Sequence, residues 1–325
     1  MTEPGPGGAG EPVGPLDARR FARFAGIRTF ARLPLIGDVG RADVAVLGAP
    51  FDRTATYRAG ARFGPAAIRE ASLLLRPYNE PLDLEPFAAA QVADAGDSGP
   101  SPVSLEDAHG AIEDAAAQLH RSGARVLALG GDHSVALPLM RAAAAAHGRL
   151  SLLQLDAHTD TWDEYFGQKV GHGTIMRRAA EDGTIDARSS AQLGLRGPMY
   201  ARSDYESNRE LGFSTVLARE FDVDAALELA RRTLRSPVYV SVDIDVLDPA
   251  FAPGTGTPEP GGLSTRELLA VLRGLAEANL DVVGADVVEV SPAYDHAQVT
   301  ALAAAAAAYD LIGLMVLSRG SAPRR

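Results

Sequence analysis

Between Asp156 and Asp160 the chain reads DAHTD, directly after the apolar run SLLQL (151–155). Asp156, His158 and Asp160 recur at every second position, so in extended backbone they share one side. Buried unpaired charge is costly, so something positive is expected to meet these carboxylates. Other apolar runs end in the same way. ARVLALGG (124–131) leads into Asp132 and His133, VYVSV (238–242) into Asp243 and Asp245, and GADVVEV (284–290) carries Glu289 near its end. Taken singly, an Asp after a strand is ordinarily a helix cap. Gathered in one crevice, so many carboxylates repel one another unless cations neutralise them. Four aspartate ligands and two neutral histidines offset two divalent ions and leave room for a bridging hydroxide. Carboxylate and imidazole donors without thiolate favour Mn²⁺, Fe²⁺ or Zn²⁺ over a soft metal. An EF-hand is disfavoured, since its central Gly and distal Glu are missing. Two such ions about 3.5–4 Å apart typically activate water for hydrolysis.

The elements that must position these residues alternate along the chain. Strand candidates are DVAVLGAP (43–50), ARVLALGG, LSLLQLD (150–156), QLGLRG (192–197), VYVSVDID (238–245) and LDVVGADVVEV (280–290). Between them lie capped helices. One opens at Pro65, one at Ser104 with Asp107 three residues on, one at Ser134 ending near His147-Gly148, and one at Ser264 with Glu267. Continuous apolar strands alternating with helices predict a single α/β domain, a mostly parallel sheet with helices on both faces. Ligands of such sheets bind at the carboxyl ends of the strands, where these polar residues fall.

The chain has 325 residues, 46% hydrophobic and 22% charged, with a formal net charge of −11. That balance fits a soluble globular protein and argues against a nucleic-acid partner. Cysteine is absent, which excludes disulfides, thiolate metal sites and a Cys nucleophile. The start, MTEPGPGGAGEPVGP, lacks the pattern of a secretory signal, and residues 1–18 read as a disordered tail before a domain over 19–325. Near the other end, ALAAAAAAYDLIGLMVL (301–317) is interrupted by Asp310 and predicts a packed helix rather than a membrane span. A cytoplasmic location is expected.

GGDHS (130–134), DAHTD (156–160), GHGT (171–174), SVDIDVLDPAFAPGTGTPEPGGLS (241–264) and EVSP (289–292) together resemble the ureohydrolases, the arginase–agmatinase family. The likeness runs from about Val44 to the C-terminal helix. It is nearer the agmatinase branch, which includes guanidinobutyrase and proclavaminate amidinohydrolase, and TYRAGARFGPAAIRE (56–70) resembles that branch too. The resemblance implies an arginase-like three-layer α/β/α fold and two Mn²⁺ ions held by His133, Asp156, His158, Asp160, Asp243 and Asp245, with Fe or Zn less expected. It also implies attack of a metal-bridging hydroxide on a guanidinium carbon, releasing urea and a primary amine, and a homo-trimer or hexamer. Asp160 would then ligate metal and pass the hydroxide proton on. Glu289 suits a planar guanidinium, which a carboxylate meets through parallel hydrogen bonds. His172 resembles the family's proton-shuttling histidine; by its residues alone it reads as a surface-loop position.

Substrate choice is expected in the loops 52–60, 161–171 and 197–210. Where arginases carry an asparagine- and serine-bearing loop, this chain has TWDEYFGQKVGHG (161–173), which disfavours arginine. Trp162, Tyr165 and Phe166 are candidates for an apolar wall around a longer tail, or for packing of the loop on the body. Arg53 and Arg58 are candidates to meet a substrate carboxylate, or solvated residues. His109, His120 and His147 read as surface histidines, and His296 as a candidate for the pocket. The expected substrate is agmatine or a guanidino acid, with a guanidine-bearing biosynthetic intermediate as the rival. A non-catalytic metal-binding homologue and a hydrolase of another C–N bond are the readings of other classes.

Overall fold

Alternation along the apolar runs builds the layers. In Val44–Ala49, Val44 and Val46 join one apolar cluster, while Ala45 and Leu47 join a second on the opposite face. Helices Gly64–Ala71, Val223–Thr233, Thr265–Gly274 and Val299–Ser321 cover the first face; Leu105–Arg121, Ala136–His147 and Ile175–Glu181 cover the second. The structure, a computed structural model, describes residues 11–321.

The sheet has eight strands: β1 (Val44–Ala49), β2 (Val92–Asp97), β3 (Arg125–Gly130), β4 (Ser151–Leu155), β5 (Ala191–Leu195), β6 (Ser214–Leu217), β7 (Val238–Asp243) and β8 (Val282–Val288). All pairings are parallel, in the order β2-β1-β3-β8-β7-β4-β5-β6. The six expected strands are the six interior ones. The two edges, β2 and β6, are additions. An edge strand need not be apolar throughout: β2 reads VADAGD and surfaces toward its end, and β6 is half-buried along its length.

Two expected caps form. Ser104 Oγ accepts from the Asp107 amide at 3.1 Å, and Ser264 and Glu267 make a reciprocal box at 3.2 and 2.8 Å. The third differs. Ser134 lies inside a short 3-10 turn, and Asp132 is the cap, accepting from the Ser134 amide and hydroxyl at 3.1 and 2.5 Å. His109 and His120, expected at the surface, are buried. His109 reaches Ser134 Oγ at 3.2 Å, and His120 packs on His147 with ring centroids 5.1 Å apart. Of the expected tail, residues 1–10 lie outside the described residues. Val13 exchanges backbone hydrogen bonds with the Gln91 side chain at 2.8 and 3.1 Å, so residues around it lie along the domain.

The C-terminal helix is the one element among the described residues long and apolar enough to cross a membrane, and most of it is buried in the domain. Asp310 in its middle is paired, accepting from Asn79 Nδ2 and Arg273 Nε, both at 2.8 Å. Burial pushes this carboxyl up, against the pull of those two donors. Because Arg273 is partly exposed, Asp310→Ala is expected to destabilise the fold by about 2 kcal/mol, below the loss typical of a fully buried pair. Urea unfolding should show a lower midpoint with an unchanged slope.

Candidate metal centre and active site

β3, β8, β7 and β4 stand side by side in the sheet, so the loops leaving their carboxyl ends converge. His133 lies in the turn after β3 and Glu289 follows β8. Asp243 ends β7 with Asp245 in the next turn, and Asp156, His158 and Asp160 follow β4. His133 Nδ1 lies 2.9 Å from Asp160, 3.1 Å from Asp156 and 3.2 Å from Asp243. His158 Nδ1 lies 3.0 Å from Asp245 and 3.6 Å from Asp156. The donor atoms of His133, Asp156 and Asp160 all fall within 4.8 Å of one another, and so do those of Asp156, His158 and Asp245. Asp156 belongs to both sets, so its carboxylate would be shared by two ions held there.

The electrostatics call for cations. Burial, with Asp156 beside it, pushes Asp160 up to about 6. Burial and the neighbouring Asp245 and Asp156 push Asp243 well above the carboxylate range. Burial also opposes ionisation of Asp156, yet the neighbouring imidazoles of His133 and His158 hold it low. His133 Nδ1 is buried and faces its three carboxylates without a well-directed hydrogen bond. A cluster so arranged, without thiolate, fits divalent ions. Two of its residues sit in the left-handed region, Asp160 at φ 53° and Glu289 at φ 63°. For residues with a Cβ this costs about 1–2 kcal/mol each. Neighbouring bonds hold them there: Asp160 O accepts from the Met176 amide at 3.0 Å, and the Glu289 amide donates to Gly131 O at 2.8 Å.

Above the cluster is a cavity of about 380 Å³, lined among others by His133, His158, Asp160, Asp243 and His172. Glu289 is only 1% exposed and lies behind His172. Its Oε1 accepts from the His133 amide at 2.8 Å and meets His172 Nδ1 at 3.2 Å, while Oε2 is buried without a partner. A Cβ at Gly256 would come within 3.0 Å of that oxygen, so glycine there keeps space beside it. His172 Nε2 meets Thr56 Oγ1 at 3.0 Å. Burial works against a charge on His172, but Glu289, with Asp132 and Asp160, raises it to about 9.

The sequence model of the Arginase family matches residues 42–313. The chain belongs to the arginase family. Guanidinopropionase of Pseudomonas aeruginosa is 44% identical over 309 residues, spanning 94% of this chain and 96% of the relative. Guanidinobutyrase of the same organism is 40% identical, spanning 92% and 95%. The solved structure of proclavaminate amidinohydrolase from Streptomyces clavuligerus superposes with a TM-score of 0.86 at 40% identity, covering 92% of this chain and all (100%) of that one. This ureohydrolase is a metal-dependent enzyme of the amidinohydrolase type.

Several residues that hold the ureohydrolase site together are absent from the sequence reading. Asp286, inside β8, accepts from Tyr239 at 2.8 Å and from Ser241 Oγ at 2.7 Å. Having given its proton to Asp286, Ser241 accepts from His133 Nε2 at 2.8 Å, which leaves Nδ1 as the donor lone pair toward the cluster. The available signal was a carboxylate in the middle of an apolar strand. Asp132, read only as part of the cluster, is pushed up to about 6 by burial and Glu289 and accepts from Thr54 N and Oγ1, both at 2.8 Å. Thr54 Oγ1 in turn accepts from the His172 amide at 3.0 Å, so Asp132 positions the His172 loop. Arg196 donates to the carbonyls of Asp245, Val246, Leu247 and Glu259, tying the long glycine and proline loop to the ligand turn. Asp248 accepts from the Ala250, Gly261 and Gly262 amides, a loop bond and no ligand contact.

The rim separates the specificity candidates. Trp162 and Tyr165 line the cavity. With Tyr200, also lining it, they form an aromatic group whose centroids lie 4.9 to 6.3 Å apart. Phe166 does not line it: the side chain is 79% exposed and leans on Tyr165 from outside. Arg53 points away, its guanidinium bonding the Val103 carbonyl. Arg58 lies over the Tyr57 and Tyr294 rings at 5.5 and 5.1 Å and is not a lining residue. His296 is exposed and stays outside the cavity. Buried Asp52, not either arginine, organises this loop by accepting from the Gly60 and Arg62 amides at 2.8 and 3.2 Å.

Proposed function

We propose that this enzyme splits the terminal guanidino group of a small linear compound into urea and a primary amine, with two manganese ions as cofactor. The observation that carries the reading is the pair of donor sets sharing Asp156 at the floor of a cavity that His172 also lines. Divalent ions bound there supply Lewis-acid activation of the attacking water. This chain's own residues do the rest. Glu289 lies behind His172 and outside the cavity lining, so its unpartnered Oε2 accepts N–H groups of the planar guanidinium, and orients its carbon, once the His172 ring turns aside. Asp160 accepts the proton that the water gives up. His172, whose charged form the neighbouring Glu289 favours, donates a proton to the departing nitrogen, which leaves as the amine. Manganese is supported by the carboxylate and imidazole donors and the cysteine-free chain.

Agmatine or a guanidino acid is the first choice of substrate, the guanidino acid in keeping with the names of the two relatives. The aromatic group at the mouth favours a second reading, a longer guanidine-bearing biosynthetic intermediate, which the likeness to proclavaminate amidinohydrolase supports. A cytoplasmic homo-oligomer, trimer or hexamer, completes the proposal. Phe21, Phe24 and Ile27 support it, being 55%, 81% and 75% exposed on one N-terminal stretch, as expected of a surface buried between subunits.

The test is urea release by manganese-loaded protein across arginine, agmatine, guanidino acids of several lengths and a long alkylguanidine. One compound other than arginine is expected to reach a kcat/KM of ~10⁴ M⁻¹s⁻¹ or more. Turnover of the long compound alone selects the biosynthetic reading. Silence across the panel, with two ions bound, overturns the proposal.

A further inference from the structure

We propose that Gln154, Gln192 and Asn208 form a directional relay of amides that tunes the metal affinity of the centre through Asp156. It rests on the metal centre and not on the choice of substrate. The three residues are an oddity of the sequence. Gln154 interrupts the apolar strand SLLQL, Gln192 lies within AQLGL, and both are fully buried. Asn208 is the one residue that helix Arg202–Leu211 buries. A primary amide left unpaired in such surroundings costs about 1–3 kcal/mol, so these positions need partners; they run in one line, and only Asn208 Oδ1, at its far end, is buried without one.

Gln154 and Gln192 are cross-strand neighbours in the β4–β5 register. Asn208 Nδ2 donates to Gln192 Oε1 at 2.7 Å, Gln192 Nε2 donates to Gln154 Oε1 at 2.7 Å, and Gln154 Nε2 donates to Asp156 Oδ2 at 2.6 Å. Gln192 Nε2 also reaches the Thr159 carbonyl at 2.9 Å, within the ligand loop. An amide can face either way, whereas a carboxylate only accepts. Asp156, with the His158 carbonyl, therefore dictates the orientation of Gln154, and Gln154 Oε1, with the Thr159 carbonyl, dictates that of Gln192. Amide dipoles aligned in this way strengthen one another. The oxygen at the end of the line is the one 3.1 Å from His133 Nδ1, so the relay fixes the carboxylate common to both donor sets. None of the three side chains lines the cavity. Their route to the reaction is through Asp156, which makes them positioning residues.

Asn208→Asp tests the direction with almost no change of shape. Aspartate has no N–H to offer, so Gln192 either turns to donate to it, against the Thr159 carbonyl, and brings Gln154 round with its carbonyl toward Asp156, or stays with its oxygen against the new carboxylate; both weaken the donation to Asp156. Manganese chloride is titrated into metal-stripped full-length protein and binding is followed by calorimetry, with thermal unfolding of the metal-free protein as the check on folding. The expected result is manganese affinity weakened about 10- to 100-fold, the range found when partners of metal ligands are lost. Asn208→Leu, which removes the last donor without reversing the line, should weaken it less. Excess manganese should restore urea release with an unchanged KM, which a role in packing the mouth loop would not allow. A folded Asn208→Asp protein that binds manganese as tightly as the parent overturns the proposal. So does one with unchanged affinity and an altered KM. If Asn208→Asp does not fold, Gln154→Met, which keeps the volume and deletes the donor, is held to the same criterion. Because binding is read directly, a failure of the guanidine reaction leaves this result separately legible.

Discussion

Replacing Asp160 by asparagine is expected to lower kcat for urea release by about 10³-fold, the middle of the range for removing a group that moves a proton in the reaction. The amide keeps the shape and one oxygen facing His133, now 2.9 Å away, but can neither carry charge to a metal nor take the proton of the attacking water. The measurement is kcat beside metal content on the same sample. Activity within tenfold of the parent at full metal content would remove Asp160 from the proton path. The metal-free protein should behave differently. There Asp160 is pushed up to about 6 by burial and Asp156. A carboxyl whose folded pKa is raised contributes stability below its unfolded value near 4, and that contribution is lost as pH rises through 6. The amide of Asp160→Asn does not titrate, so the metal-free variant should lose less stability between pH 4 and 7 than the parent.

His172→Asn carries the second large effect, a fall in kcat of about 10²-fold or more together with a changed pH profile. Burial alone would make this imidazole neutral, but Glu289 at 3.2 Å raises it to about 9. Below that pH it is charged and able to donate; above it the proton is gone. The parent's kcat should therefore decline on the alkaline side, where this proton is lost, and the decline should be absent from His172→Asn. Glu289→Gln should move it to lower pH, since the raising carboxylate is removed. A decline that persists unchanged in His172→Asn would assign it to another group.

Much of this site was legible because its strands are apolar along their whole length and end abruptly in charge. Asp156, His158, Asp160, Asp243 and Asp245 stand where a continuous run stops, and only a common crevice explains so many carboxylates at such ends. The edge strands gave no such signal, since β2 and β6 are partly exposed and need no unbroken apolar run. Side-chain direction was also out of reach. Arg53 and Arg58 sit in a loop that does border the site, through Thr56, yet their guanidinium groups turn to a carbonyl and to aromatic rings. The loop containing Tyr200 was marked for specificity, but its meeting with Trp162 and Tyr165 depends on a contact between segments far apart in sequence. Buried His109 and His120 show the same limit: periodicity places a histidine on a helix, and only packing decides which side is covered.

The strand order has a consequence for how the enzyme is made. β3 and β4 follow one another in the chain but never touch; β8 and β7 lie between them. A nascent polypeptide that has left the ribosome only as far as β6 holds His133 and Asp156 on strands whose facing edges are both empty. Asp243, Asp245 and Glu289 arrive with the wedge that fills the gap. The full set of candidate ligands can therefore come together only after β7 and β8 have emerged, and until then two long apolar strand edges stand open to mispairing.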